Sequence, residues 1–135
     1  MVKRVNRISM SLPEDLRREF DEVAEVAGYE DRSKALQVAM RNFITDHKWR
    51  QETATSTGAM VMIYDHETPG LEEALTDVQH TYKQIVNSAM HLHLEGNNCL
   101  QIIAVKGRNK EIEDLAKALV AKRGMKQLKL AVVAV

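Results

Sequence analysis

The stretch SAMHLHLEGNNC, residues 88–99, decides the fold of the second half of the chain. Polar and apolar side chains alternate from residue 90 to residue 94, which is the period-two pattern of a half-exposed strand. The GNN triplet at 96–98 supplies turn residues, and an apolar run with β-branched residues follows at 99–106. The stretch therefore predicts two antiparallel strands joined by a short turn.

Strand and helix patterns continue on both sides of this hairpin. The predicted elements are a strand at 59–64, a helix at 71–86, the hairpin strands at 88–95 and 99–106, a helix at 111–122 and a strand at 128–135. This β-α-β-β-α-β order is the split βαβ arrangement of ferredoxin-like domains.

The first 50 residues predict one strand followed by two helices. Residues 5–12 alternate between polar and apolar side chains. The polar side of this strand is formed by Arg7, Ser9 and Ser11. Pro13 suits the first position of a helix that Gly28 ends. Ser33 is predicted to cap a second helix that runs to about Trp49.

The polar segment QETATSTG, residues 51–58, lacks large apolar side chains and ends in glycine. Such a composition is typical of a linker. We therefore predict a βαα domain at residues 1–50, a linker at 51–57 and a βαββαβ domain at 58–135. The predicted fold class is α+β.

The composition predicts a globular chain. Of its 135 residues, 44% are hydrophobic and 28% are charged, and 19 basic residues balance 19 acidic ones. Polar residues interrupt any signal-peptide pattern near the start, and no apolar run approaches the length of a membrane span. We expect a cytoplasmic protein without a membrane partner. The single cysteine excludes an intramolecular disulfide.

The βαα unit is too small to bury a confident core alone, and its one strand lacks a hydrogen-bonding neighbour. Two chains that pair these strands antiparallel solve both problems and form a ribbon that fits a DNA major groove. Arg7, Ser9 and Ser11 would then face base edges. The start of the second helix, at Arg32, Ser33 and Lys34, would hold a phosphate.

The run Gly28-Tyr29-Glu30-Asp31-Arg32-Ser33-Lys34-Ala35 resembles the inter-helix turn of ribbon-helix-helix repressors. The alternative interpretation is an amphipathic edge strand whose polar side is simply solvated. The basic, acid-free strand and the capped second helix favour DNA binding over that alternative.

The hairpin carries a candidate metal site. His91 and His93 lie two residues apart and so on one face of a strand, and Cys99 begins the next strand. Paired strands place neighbouring side chains about 5 Å apart, which is close enough to share a metal. His80, on the preceding helix, is the candidate fourth ligand, from the same or another chain. His47 and His66 lack such partners in the sequence.

Several segments together resemble the NikR family of nickel-responsive repressors. They are Gln79-His80, the run from His91 to Leu100, Val105-Lys106-Gly107 and Tyr64-Asp65-His66. The similarity covers essentially the whole chain. It implies an N-terminal ribbon-helix-helix domain and an ACT-like C-terminal domain.

The resemblance also implies a ligand set and partners. It implies one Ni(II) per subunit, held in a square plane by His91, His93 and Cys99, with His80 from a neighbouring subunit. Such a site implies a homotetramer built as a dimer of dimers, with operator double-stranded DNA as its partner. The implied function is metal-dependent repression of nickel uptake, with no small-molecule substrate and no enzymatic activity.

Two positions depart from the family pattern. Lys34, with Val38 one turn on, stands where members often have a carboxylate that helps hold a cation between the domains. Gln101 stands where members have Glu two residues after the cysteine, and loss of that carboxylate would retune the site. Both departures concern the coupling between metal and DNA.

Two other functions use the same residues. A zinc hydrolase needs an open coordination position and a nearby base, whereas four ligands close the site and Glu95 has no evident role. A ribbon-helix-helix regulator that responds to another metal or to a small molecule is the nearer alternative.

Overall fold

A computed structural model describes residues 3–133, in two compact units, one up to Met40 and one from Arg41 onward. The helices are α1 (Glu14–Val26), α2 (Arg32–Trp49), α3 (Leu71–Thr81) and α4 (Asn109–Val120). The strands are β1 (Thr55–Asp65), β2 (Val86–His93), β3 (Asn98–Arg108) and β4 (Met125–Val133). No helix among the described residues is long and apolar enough to cross a membrane.

The first unit contains α1 and the start of α2. Gly28, at a φ of 87°, makes the left-handed turn that ends the α1 region, as its position in the sequence predicts. The two helices are joined by Arg32, whose Nε and Nη2 donate to the Asp21 carboxylate at 2.9 and 2.7 Å. This contact lowers the pKa of Asp21, chiefly through the hydrogen bond to Arg32.

The prediction that Ser33 caps α2 was wrong. Asp31 is the cap, because its Oδ1 accepts the backbone N–H of Lys34 at 2.7 Å. Aspartate serves this position as well as serine does, and its charge also suits the positive end of the helix. Ser33 lies in the first turn instead.

The strand predicted at 5–12 is not formed in the single chain, where residues 3–13 have no regular secondary structure. A strand exists through hydrogen bonds to a neighbour, and one chain offers none here. The apolar side chains of this segment remain exposed. They are Val5, Ile8, Met10 and Leu12.

The second unit contains a four-stranded sheet with the order β2-β3-β1-β4 and antiparallel pairing throughout. With α3 and α4 in the connections, the β-α-β-β-α-β order predicted from the sequence is confirmed. This topology places β3 and β1 in the centre and β2 at an edge.

Element boundaries differ most from the prediction at three places. β1 begins at Thr55, inside the predicted linker, because residues 55–58 already pair with β3. α3 ends at Thr81, five residues early, and a turn leads from it into β2. β4 begins at Met125, and the last two residues of the predicted strand, Ala134 and Val135, lie outside the described residues.

The core lies between one face of the sheet and the helices α3 and α4. Its central members are Met60, Met62, Tyr64, Leu75, Cys99, Ile103, Ile112, Leu115 and Leu119. The opposite face of the sheet carries other apolar side chains, among them Val61, Leu92 and Ile102. Residues directly opposite each other on paired strands share a face, so this register also fixes which side chains meet at the edge.

Candidate metal centre

A row of three side chains crosses the sheet at its β2 edge. Cys99 on β3 is the register partner of His93 on β2 and of Tyr64 on β1. The Cys99 Sγ lies 3.7 Å from the His93 Nδ1. One pair further along the same face, His91 opposes Gln101. The structure thus brings His91, His93 and Cys99 onto one face, as the alternation of the sequence predicts.

Burial divides this row into an interior half and an open half. Cys99 is fully buried, whereas His91 and His93 are exposed. The difference arises because β2 is the edge strand, beyond the part of the sheet that packs into the core. The thiol therefore lies at the rim of the core, and the imidazoles extend the donor set toward the surface.

The donors fit a transition-metal ion in chemistry and nearly in spacing. Metal bonds of about 2.0 Å to nitrogen and 2.3 Å to sulfur separate two donors by about 3.1 Å at a right angle and about 3.5 Å at a tetrahedral angle. The observed distance between Sγ and Nδ1 is 3.7 Å, about 0.2 Å longer than the tetrahedral separation and about 0.6 Å longer than the right-angle one. Within residues 3–133, however, no three His, Cys, Asp or Glu side chains converge into a metal-holding group.

Tyr64 brings a phenol to the same place. Its hydroxyl lies 3.5 Å from the His91 Nδ1 and 3.5 Å from a carboxylate oxygen of Glu72. Burial, followed by the hydrogen bond with Cys99, raises the pKa of Tyr64, so the phenol stays protonated. A protonated phenol can orient an adjacent imidazole. In the sequence, Tyr64 belongs to the family-like segment Tyr64-Asp65-His66, and only the strand register reveals its contacts.

His66, which has no histidine or cysteine neighbours along the sequence, lies beside His93 in the fold. Its ring lies edge-on to that of His93, with centroids 6.3 Å apart. β1 runs antiparallel to β3, so the end of β1 lies next to the turn between β2 and β3. There the backbone N–H of His66 donates to the backbone carbonyl of Asn97 at 2.9 Å. Only this pairing, and not the spacing along the chain, shows that His66 and His93 are neighbours.

Gln101 has a partner that the sequence did not suggest. Its buried amide pairs reciprocally with that of Gln79, with nitrogen-to-oxygen distances of 3.3 and 3.4 Å. Gln79 precedes His80 in the last turn of α3, where His80 is exposed. The amide pair therefore ties the helix that carries His80 to the strand row that contains His91.

The predicted DNA-binding residues occupy two exposed places in the first unit. Arg7, Ser9 and Ser11 lie exposed in the irregular segment 3–13, and Ser33 and Lys34 are exposed in the first turn of α2. Arg32 is engaged by Asp21 through Nε and Nη2.

The family model of the NikR C-terminal nickel-binding domain matches residues 57–133. Three similar proteins are named "Putative nickel-responsive regulator", one of them with the number 3. That of Methanocella arvoryzae is 37% identical over 98% of this chain and 96% of its own. Those of Methanocaldococcus jannaschii and Methanosarcina acetivorans are 41% and 40% identical, each over 95% of this chain and 92% of its own.

Among solved structures, an uncharacterized protein of Thermotoga maritima matches with a TM-score of 0.54 at 12% identity. The match covers 59% of this chain and 99% of that one, and it shows a shared fold. The ACT domain of a GTP pyrophosphokinase of Chlorobium tepidum matches with a TM-score of 0.49 at 9% identity.

Proposed function

This chain belongs to the NikR family of nickel-responsive regulators, and we propose that it binds operator DNA when Ni(II) occupies a shared site. The ligands would be His91, His93 and Cys99 of one subunit with His80 of the partner subunit, one ion per subunit. The family consists of regulators and not of enzymes.

The observation that carries the proposal is the pairing of Cys99 with His93 across the β2–β3 ladder, 3.7 Å between Sγ and Nδ1. Imidazole nitrogen and a thiolate together suit Ni(II) or Cu(II) in a square plane, whereas zinc prefers a tetrahedron. A bound ion would link the ligands on β2 and β3 of one chain to the histidine of a second chain. The Tyr64 hydroxyl would hold the His91 ring in place.

The proposed intersubunit ligand agrees with the exposure of these groups. His91 and His93 face outward from an edge strand, and His80 is exposed at the end of α3. A second chain can therefore approach the imidazoles and offer its own histidine.

The sheet face opposite the core supports the proposal of a homotetramer built as a dimer of dimers. Val61, Met90, Leu92 and Val133 lie on this face and are each at least 39% exposed. Exposed apolar side chains grouped on one face of a sheet mark an interface. We propose that it packs on a second copy and forms part of the tetramer core.

The exposed segment 3–13 supports the ribbon part of the proposal. Ile8, Met10 and Leu12 alternate with Arg7, Ser9 and Ser11, and pairing with a second copy would bury the apolar set. The polar set would then face base edges in the major groove. Ser33 and Lys34, with the Nη1 of Arg32 that Asp21 leaves free, would contact the phosphates.

The proposed output is repression of nickel-uptake genes in the cytoplasm when nickel is abundant. Nickel shifts the protein toward its DNA-binding state only if it binds that state more tightly than the others.

A spectroscopic titration tests the site. Nickel added to the full chain should produce a thiolate-to-metal absorption band of square-planar character at one ion per subunit. Cys99→Ala should remove the band, and the control His47→Ala, outside the site, should keep it. Tetrahedral zinc binding with hydrolytic turnover, or a nickel band that survives in Cys99→Ala, would show that the proposed site is wrong.

A further inference from the structure

The end of α2 is fastened to the beginning of α4 by one buried side chain. The Nδ2 of Asn109 donates to the carbonyl oxygens of Lys48 and Gln51, at 2.7 and 2.9 Å. Asn109 is 2% exposed. Lys48 lies in the last turn of α2, and Gln51 lies two residues beyond its end. Each of these carbonyls also accepts a backbone N–H, from Gln51 and Ala54 respectively.

The backbone at the start of α4 makes a second connection in the same direction. The N–H groups of Asn109 and Lys110 donate to the carbonyls of Ala54 and Glu52, at 2.8 and 3.3 Å. The first backbone N–H groups of α4 have no acceptor inside that helix, and carbonyls of the connection that follows α2 satisfy them. Trp49, the only tryptophan, also packs against the core here.

This joint lies at the far end of the strand that carries the metal-site thiol. Cys99 is the second residue of β3, and Asn109 directly follows its last residue, Arg108. Ten residues of extended strand separate them by about 33 Å. β3 is central and paired with β1 along its whole length, so it behaves as a stiff element.

The geometry points to Asn109 as a positioning residue that couples the metal site to α2. This inference rests on the proposed function and names the route by which it is regulated. Metal binding restrains the Cys99 end of β3, and the Asn109 amide passes that restraint to the last turn of α2, the helix whose first turn carries Ser33 and Lys34.

The chemistry requires an amide at this position. Asn109 offers two N–H donors to two carbonyls, and its Oδ1 has no partner among the described residues. The reverse orientation would set Oδ1 against two carbonyl oxygens. Aspartate has the same shape, but it lacks both donors and places a negative charge against the negative end of α2.

Hydrogen exchange on the full chain, with and without nickel, tests the coupling. In the unmodified protein, nickel should slow exchange of the amides at residues 47–54 by about fivefold or more, the lower end of usual coupling strengths. In Asn109→Asp the slowing should fall below about twofold, while the thiolate–nickel band and its midpoint stay the same. The control Asn87→Asp makes the same change at an exposed position and should behave like the unmodified protein.

Two results would overturn the inference. One is unmodified protein in which nickel leaves exchange at residues 47–54 unchanged, a measurement that needs no variant and so decides even if Asn109→Asp fails to fold. The other is Asn109→Asp with the full nickel effect. If nickel slows exchange at residues 47–54 in the unmodified protein but does not raise its affinity for DNA, the proposed function is wrong, while the coupling through Asn109 is still supported.

Discussion

At the scale of single residues, the site combines side chains with opposite demands. Cys99 is buried and His93 is exposed, yet the register makes them neighbours. The sequence predicted this pair because alternation fixes the face of a strand and the turn fixes the offset. It could not predict the His66 contact, which depends on where β1 ends in space.

The amide pair between Gln79 and Gln101 should contribute measurably to stability. Gln79→Ala leaves the buried amide of Gln101 without its partner, and an unsatisfied buried polar group costs about 1–3 kcal/mol. Urea unfolding should show a loss in that range. Gln84→Ala, at an exposed position, should change stability by less than about 0.5 kcal/mol. Equal losses in the two variants would mean that the pair has no structural role.

At the scale of elements, the sequence predicts the order of the strands and helices, but not the residues at which they begin and end. Every strand and helix of the second unit was predicted in order, because each has a strong pattern of apolar positions. The cap of α2 was misassigned, since Asp31 and Ser33 are both good caps and only the backbone geometry decides between them. The segment 3–13 would become a strand, on the proposed function, by pairing with a second chain.

Close contact between two strands makes Gly58 irreplaceable. A Cβ at Gly58 would overlap the carbonyl oxygen of Ala131 on β4, and backbone cannot move aside as a side chain can. Gly58→Ala should destabilise the protein by about 1–3 kcal/mol or more, measured by thermal or urea unfolding. Gly107→Ala is the matched control, because its Cβ would meet only the Ile85 side chain, at 3.3 Å. A larger loss in the control would contradict this account of the β1–β4 contact.

The proposed role of the segment 3–13 in DNA binding can be tested at Arg7. Arg7→Ala should weaken operator binding by about tenfold and relax the preference for one base, because a bidentate contact to guanine is worth about 1–3 kcal/mol. Competition with operators substituted at single positions measures both effects. Glu19→Ala on α1, which removes a charge outside the segment, is the control. Unchanged affinity in Arg7→Ala would rule out the ribbon.

At the scale of the whole molecule, the apolar side chains exposed on the sheet face opposite the core predict that copies of the chain assemble. Val61→Glu puts a charge into that face, and sedimentation should then show particles smaller than a tetramer of 15.3 kDa chains. Thr76→Glu, on an exposed part of α3, should leave the assembly unchanged. A Val61→Glu protein that keeps the mass of the unmodified one would place the interface elsewhere.

The central claim is that nickel at the shared site controls DNA binding. Its most direct test is operator affinity at one fixed salt concentration, without metal and with nickel or zinc, for the unmodified protein and His93→Ala. Nickel should raise the affinity of the unmodified protein by at least about tenfold, more than zinc does, and His93→Ala should keep only the metal-free affinity. Equal affinity with and without nickel, or a full nickel response in His93→Ala, would contradict the account.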